Sequence, residues 1–183
     1  MPTPHAPGWV AYVDESQRSE GAGAYILAAV VLDGQTAESI RPQVAALAAG
    51  KQRFHWRLES PSRQRKAVAV VAGLPALHIV VVAVGVKARQ SERARRYCLD
   101  RLLYELDHAG VSQVWLEARG PHQNRLDSEV VNVFRVRGNI SDTIRIDHGY
   151  PDQEVLLWLG DIVAGALSAS VAGDPSYMSP LEA

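Results

Sequence analysis

Apolar positions along the chain fall into short runs broken by polar turns. Trp9-Val10-Ala11-Tyr12-Val13 is such a run, and it ends abruptly on two adjacent carboxylates, Asp14 and Glu15. Apolar runs bounded by polar residues read as buried strands, which places a first strand over 9–13 and a polar turn from Ser16 to Gly23. Tyr25 to Leu32 gives a second strand, closed by Asp33-Gly34. The short turn between them predicts an antiparallel hairpin. Thr36 is expected to cap a helix running to about Ala49, with Ile40, Val44 and Leu47 on one face. Ser60-Pro61 opens another helix with proline at its first position, and Gly73 closes it.

Leu77 to Val86 is almost wholly aliphatic and β-branched, and is expected to be a central strand. Ser91 caps a longer helix to His108, stopped by Gly110, with Leu99, Leu102, Leu103 and Leu106 facing inward. Val111 to Leu116 is a short strand ending in Glu117, and 122–135 reads as helical. Ile140 to Ile146 is a fifth strand ending in Asp147-His148-Gly149-Tyr150. A last helix is expected from Asp152 to about Ala172, with loop from Asp174. Hairpin-linked strands followed by alternating helices and strands predict an α/β fold. Its mixed sheet is antiparallel first and parallel later, with helices on both faces. The stretch 36–73 is then a helical insertion between strands two and three. At 183 residues the chain, 1–183, makes one domain with room for a sizeable core.

Composition narrows the function classes. Hydrophobic residues at 47% and charged residues at 21% suit an ordinary globular domain. A net charge of −1 creates no global field towards nucleic acid or membrane, so a polyanion would need a local basic patch or metal ions. The single cysteine, Cys98, excludes an intramolecular disulfide and suits a reducing cytoplasm. It sits among Tyr97, Leu99 and Leu102 as core, with no Cys/His pattern for zinc. Met1 to Pro7 has neither a basic start nor an apolar centre and is not expected to be a signal peptide. Between Val155 and Gly173 the only charge is Asp161. A charge near mid-span costs about 2.5–3.5 kcal/mol on insertion scales, and Gly160 and Gly165 make the run less apolar still. It reads as a buried helix, and no membrane association is expected. The absence of a glycine-rich phosphate loop argues against a nucleotide-dependent kinase or ATPase.

Three acids stand where acids are expensive. Asp14 ends the first strand, Glu117 ends the fourth, and Asp161 interrupts an apolar helix. If strands one and four are parallel neighbours, Asp14 and Glu117 emerge side by side, and a helix across that end adds Asp161. Carboxylates gathered without positive charge must protonate or bind cations. Hard oxygen ligands favour Mg²⁺ or Mn²⁺, and two such ions are the usual machinery of phosphodiester hydrolysis.

Plainer roles exist for each: Asp14 capping the turn with Ser16, Glu117 in a surface ion pair with Arg119, Asp161 paired with a buried arginine. Glu15 points away from Asp14 if the strand stays regular. His55, between Phe54 and Trp56, could donate to phosphate or move a proton, or could simply sit in an aromatic cluster. Lys51, Arg53, Arg57, Arg63, Arg65 and Lys66 surround it. Basic residues interleaved with aromatics suit a single-stranded nucleic acid, as they suit a solvated helix face.

Tyr12-Val13-Asp14-Glu15-Ser16, the strand from Ala24 to Leu32, Phe54-His55-Trp56 and Leu159-Gly160-Asp161-Ile162-Val163-Ala164-Gly165 recur in this order in one family. The chain resembles the bacterial domain-of-unknown-function family 3800, whose members look like compact RNase H-like proteins. The match runs from Trp9 to about Tyr177. The resemblance implies an RNase H-like sheet of order 3-2-1-4-5 over a core of about 9–177, with an acidic metal site. It matches Asp14 to the first-strand aspartate and Asp161 to the acid of the final helix. Glu117-Ala118-Arg119-Gly120 falls where the family usually shows an aspartate before a Glu-Arg pair, so the carboxylate is kept but lengthened. Gly160 stands where alanine is more usual, a lesser departure.

The first expectation is a Mg²⁺- or Mn²⁺-dependent nuclease acting on RNA or DNA. Asp14, Glu117 and Asp161 would hold metal, Glu15 would stand beside them, and His55, Arg57, Arg119, Lys51 and Arg53 would orient substrate. The alternative is a non-catalytic RNase H-like module that binds nucleic acid or a partner protein, or forms a homodimer.

Overall fold

The polar residues after Val13 do not end the first strand. In the computed structural model, which describes residues 8–19, 21 and 23–182, β1 spans Trp9–Arg18 and β2 spans Ala24–Asp33. They pair antiparallel without a break, from Trp9↔Asp33 to Arg18↔Ala24. Asp14 therefore lies in mid-strand opposite Ala28, and the predicted turn from Ser16 starts only after Arg18. The cause is β2, whose residues Ala24 to Leu32 are all buried. So apolar a strand needs a ladder partner along its whole length, and backbone hydrogen bonds hold Asp14 to Arg18 extended after the apolar period has stopped.

The rest of the order follows the sequence expectation with shifted bounds. Helix α1 is Gly34–Ala45, and its cap is Asp33 rather than Thr36. The Asp33 carboxylate accepts the N–H groups of Gln35 and Thr36, both at 3.0 Å. Helix α2, Pro61–Ala72, lies between Ser60 and Gly73 as expected. Strand β3 is Leu77–Val84, then come α3 at Ser91–His108, β4 at Val111–Glu117 and α4 at Pro121–Val136. Strand β5 is only Arg145–Gly149. Ile140 and Ile144 are buried in the core without joining the ladder, which corrects the expected strand over 140–146.

The last helix, α5, is Leu157–Val171. It starts five residues later than expected, because Gln153 and Glu154 fold back to donate to the Tyr150 carbonyl at 2.9 and 2.8 Å. Among the described residues, no helix is long and apolar enough to cross a membrane.

The sheet order is β3-β2-β1-β4-β5, with β1 and β4 parallel and β4 and β5 parallel. The order implied by the family resemblance is the one observed. It puts β3 at an edge, although its aliphatic run reads as a central strand. Val80 packs on one face and Ile79, Val81 and Ala83 on the other, while Leu77, Val82 and Val84 stay exposed. Composition cannot separate an edge strand covered on both faces from a central one.

Helices α1, α2 and α5 cover one face, and α3 and α4 the other. Tyr12 belongs to the first core and Val13 to the second. By alternation Asp14 emerges on the α5 face and Glu15 on the α3 face.

Candidate active site

The parallel register of β1 and β4 runs to Val13↔Leu116. Asp14 and Glu117 are the next residues on each strand, and both face α5. Helix α5 can bring Asp161 to them because of the residue before it. A Cβ on Gly160 would lie 2.7 Å from the Asp14 nitrogen and 3.1 Å from the Asp14 Cβ. Further along, a Cβ on Gly165 would lie within 2.5 Å of three atoms of the Trp56 ring. The helix thus lies backbone-to-backbone on β1, and the lack of a side chain at Gly160 is what permits it. Gly160→Ala is expected to push α5 away from Asp14 and cost about 1–3 kcal/mol, as overpacking does. Thermal unfolding reads this directly; an unchanged Tm would show that the helix has room to spare.

The three carboxyls feel one another. Burial, then the negative charges of Glu117 and Asp161, hold the Asp14 carboxyl well above the usual carboxylate range, with Arg95 pulling the other way. Glu117 is raised as well, by burial first and then by Asp161, while Arg53 and His55 oppose. The Asp14 Oδ1 accepts the Glu15 N–H at 2.7 Å.

Asp161 Oδ2 accepts the Trp56 N–H at 2.8 Å and lies 3.2 Å from His55 Nδ1. That bond to Asp161 raises the His55 pKa against the opposing effect of burial. The motif Phe54-His55-Trp56 therefore reaches the acids through a backbone amide as much as through the imidazole.

A cleft of about 590 Å³ opens over these groups, lined by Asp14, Glu15, Arg53, His55, Arg57, Glu117, Arg119 and Asp161 among others. Lys51 does not line it; its ammonium is held by Glu59 at 2.8 Å. The donor set is all oxygen and matches a hard divalent cation in kind. Among the described residues, however, no three His, Cys, Asp or Glu side chains are set to hold a metal ion together. Asp14 is turned towards the Glu15 amide and one Asp161 oxygen is taken by Trp56. A common ligand shell requires these carboxylates to rotate.

Glu15 and Arg119 reach the rim of this cleft but are held by a second network centred on the far face of the sheet. Glu15 forms an ion pair with Arg95 and accepts the Tyr25 hydroxyl at 2.5 Å. Arg119 pairs with Glu92 at 2.6 Å and Asp127 at 3.1 Å, and not with Glu117. Asp127 and Arg95, 4% and 3% exposed, form a two-pronged pair at 2.9 and 2.8 Å. His148 Nε2 lies 3.3 Å from the same carboxylate. Burial alone would raise the Asp127 pKa. The bonds from His148 and Arg95, and the charges of Arg95 and Arg119, outweigh it and hold the carboxyl far below the usual range. Sequence reasoning passed over Arg95, Asp127 and His148. Arg95 shares a helical stripe with Leu99, Leu102 and Leu106, and Asp127 shares one with Val131 and Phe134. A charge on such a stripe is the signal that could have found them.

No family model and no curated protein matches the chain. Solved structures do. It aligns with a chain of the PCNA:RNase HII complex from Archaeoglobus fulgidus over 90% of its own length and 74% of that chain, at 13% identity and a TM-score of 0.60. With ribonuclease H2 from Pyrococcus horikoshii OT3 the coverage is again 90% and 74%, at 11% identity and a TM-score of 0.55. With Bst-RNase HIII in complex with Mn²⁺ it is 94% of this chain and 59% of that one, at 13% identity and a TM-score of 0.51. Together with the sheet order, these likenesses show an RNase H-like fold.

Proposed function

We propose that the protein is a divalent-metal-dependent nuclease hydrolysing phosphodiester bonds of RNA or DNA, and a cytoplasmic member of the family 3800 it resembles. The observation that carries this reading is the gathering of Asp14, Glu117 and Asp161 in one cleft, two of them with pKa values that stay raised despite Arg53, His55 and Arg95 nearby. The cation would be Mg²⁺ or Mn²⁺, held by these three residues. When bound, it would polarise a phosphate oxygen and lower the pKa of a bound water.

The chain's own groups do the remaining work. Arg53 and Arg57 attract the polyanion locally. The Trp56 amide and His55 fix the orientation of Asp161. Gly160 sets its distance from Asp14. Glu15 and Arg119, held by Arg95 and Asp127, brace β1 and the end of β4 behind the acids.

The non-catalytic module remains the second reading, favoured by the lack of a closed ligand shell and by Glu117 where the family usually has aspartate. Labelled single- and double-stranded RNA and DNA, incubated with pure protein in Mn²⁺ or EDTA, separate the two. The expected result is Mn²⁺-dependent cleavage, absent in EDTA and in Asp14→Asn. Binding without cleavage of any of the four substrates would select the module.

A further inference from the structure

The carboxylate cleft does not stop at Asp161. Asp161, Gly165, Ser168 and Ala172 follow one another at helical spacing and share one stripe of α5 and its last turn. Asp161 and Gly165 line the first cleft, while Gly165, Ser168 and Ala172 line a second of about 630 Å³. The two clefts also share Ser16, Gln17, Trp56 and Arg57. They are thus one groove. At 1.5 Å per residue its helical wall is about 16 Å long. The opposite wall is the part of β1 that outruns its pairing with β4, which ends at Val13↔Leu116. Where the two clefts meet, Arg57 Nη2 donates to the Gln17 carbonyl at 2.9 Å and ties the turn after His55 to β1.

We propose that the second cleft is a track for the nucleic-acid strand entering the carboxylate cleft, seating its phosphates and sugars away from the reacting bond. This rests on the nuclease reading of the adjoining site. The lining is hydroxyl, amide and guanidinium, which suits a sugar–phosphate backbone better than an apolar ligand. The lining carboxylate Asp174 is already occupied by the amide and hydroxyl of Ser176, at 3.2 and 2.6 Å. Trp56 is packed against Gly165 and edge-on to Tyr177 at 5.2 Å, so it offers no free ring for a base to stack on. The track therefore holds backbone without reading sequence. From Gly165 to Ala172 its helical wall is about 10 Å long at 1.5 Å per residue, which matches about three nucleotides at the 3.4 Å rise of a helical strand.

Ser168 is the residue to test, because it lies in the second cleft and outside the first. The probes are fluorescein-labelled oligouridylates and oligodeoxythymidylates of about four and about sixteen nucleotides, spanning the usual range of single-strand site sizes. Anisotropy is read in Ca²⁺ for the parent and for Ser168→Glu, Ser168→Gln and Ser168→Lys, each checked by thermal melting. Ser168→Glu is expected to weaken the long probe about fivefold or more, as a charge close to phosphate should. Ser168→Lys is expected to tighten it, Ser168→Gln to change little, and the short probe to be indifferent to all three. If the long probe binds but the Glu, Gln and Lys variants are equal, the track is wrong and the nuclease reading stands. If the parent binds neither probe, the nuclease reading falls and the track with it.

Discussion

Asp161→Asn is expected to leave the metal-free protein at least as stable as the parent, while abolishing both stabilisation by Mn²⁺ and any cleavage. The asparagine oxygen can still accept the Trp56 N–H that Asp161 accepts at 2.8 Å, so the helix keeps its anchor. What disappears is a negative charge that raises the pKa of both Asp14 and Glu117.

The pH dependence has a definite sign. Groups whose folded pKa is raised contribute stability below their ordinary pKa and lose it as pH rises through the folded value. Asp161 also raises the His55 pKa, a contribution the parent keeps in acid and loses as pH rises through the histidine range. In EDTA the asparagine variant should therefore gain on the parent from about pH 4 upward and hold its full advantage only above about pH 6.5. Mn²⁺ needs the ionised carboxylates and should close the gap from the parent's side only. Asp161→Ala is the contrasting control: it strands the Trp56 amide and should cost about 1–3 kcal/mol. A large drop in Tm for Asp161→Asn in EDTA, with the metal response intact, would show the acid to be structural.

Asp127→Ala is expected to be the most destabilising single change on the other face, at about 3–5 kcal/mol, because it leaves a buried arginine with half its partners. Arg95 would keep only Glu15 and Tyr25, and His148 would lose its carboxylate. Arg119 would still have Glu92. For a chain of this size each kcal/mol lowers Tm by about 2–4 °C.

Here the sign is the reverse of that at Asp14. The Asp127 pKa is depressed, so its contribution is complete above the ordinary aspartate value of about 3.9 and fades as pH falls below it. Urea unfolding of parent and variant should show a wide gap at neutral pH that narrows steadily in acid. A cost near 1 kcal/mol or less, the range of exposed pairs, would mean the network is solvated.

What the sequence revealed and what it hid divide along physical lines. Apolar runs located four of the five strands and all five main helices, because burial leaves a periodic trace; the fifth run, 140–146, marked buried loop residues beside the strand Arg145–Gly149. They misplaced ends wherever a partner, not the residue itself, decides. Asp14 to Arg18 are polar yet extended because β2 requires them to pair, and Asp33 outcompetes Thr36 as a cap by accepting two amides. Asp14, Glu117 and Asp161 were conspicuous because each is an acid beside aliphatic neighbours. Arg95 and Asp127 were not, since each lies in a helix already rich in charge, where a buried ion looks like a solvated one. Glycine at 160 looked incidental because the strand it must clear is remote in sequence.

The two glycines in α5 also bear on how the chain folds. Each lowers helix propensity by about 1 kcal/mol relative to alanine, so α5 is a weak helix until it lies on the sheet. Its docking partners are β1 and β2, from the opposite end of the chain. Loop closure over that distance comes late and must be rewarded by burial. Asp161 thus meets Asp14 and Glu117 only when the nine buried residues of α5 are being covered. The repulsion among the acids is met in the same contact that buries the apolar face of α5 on the sheet, where the two free energies offset each other.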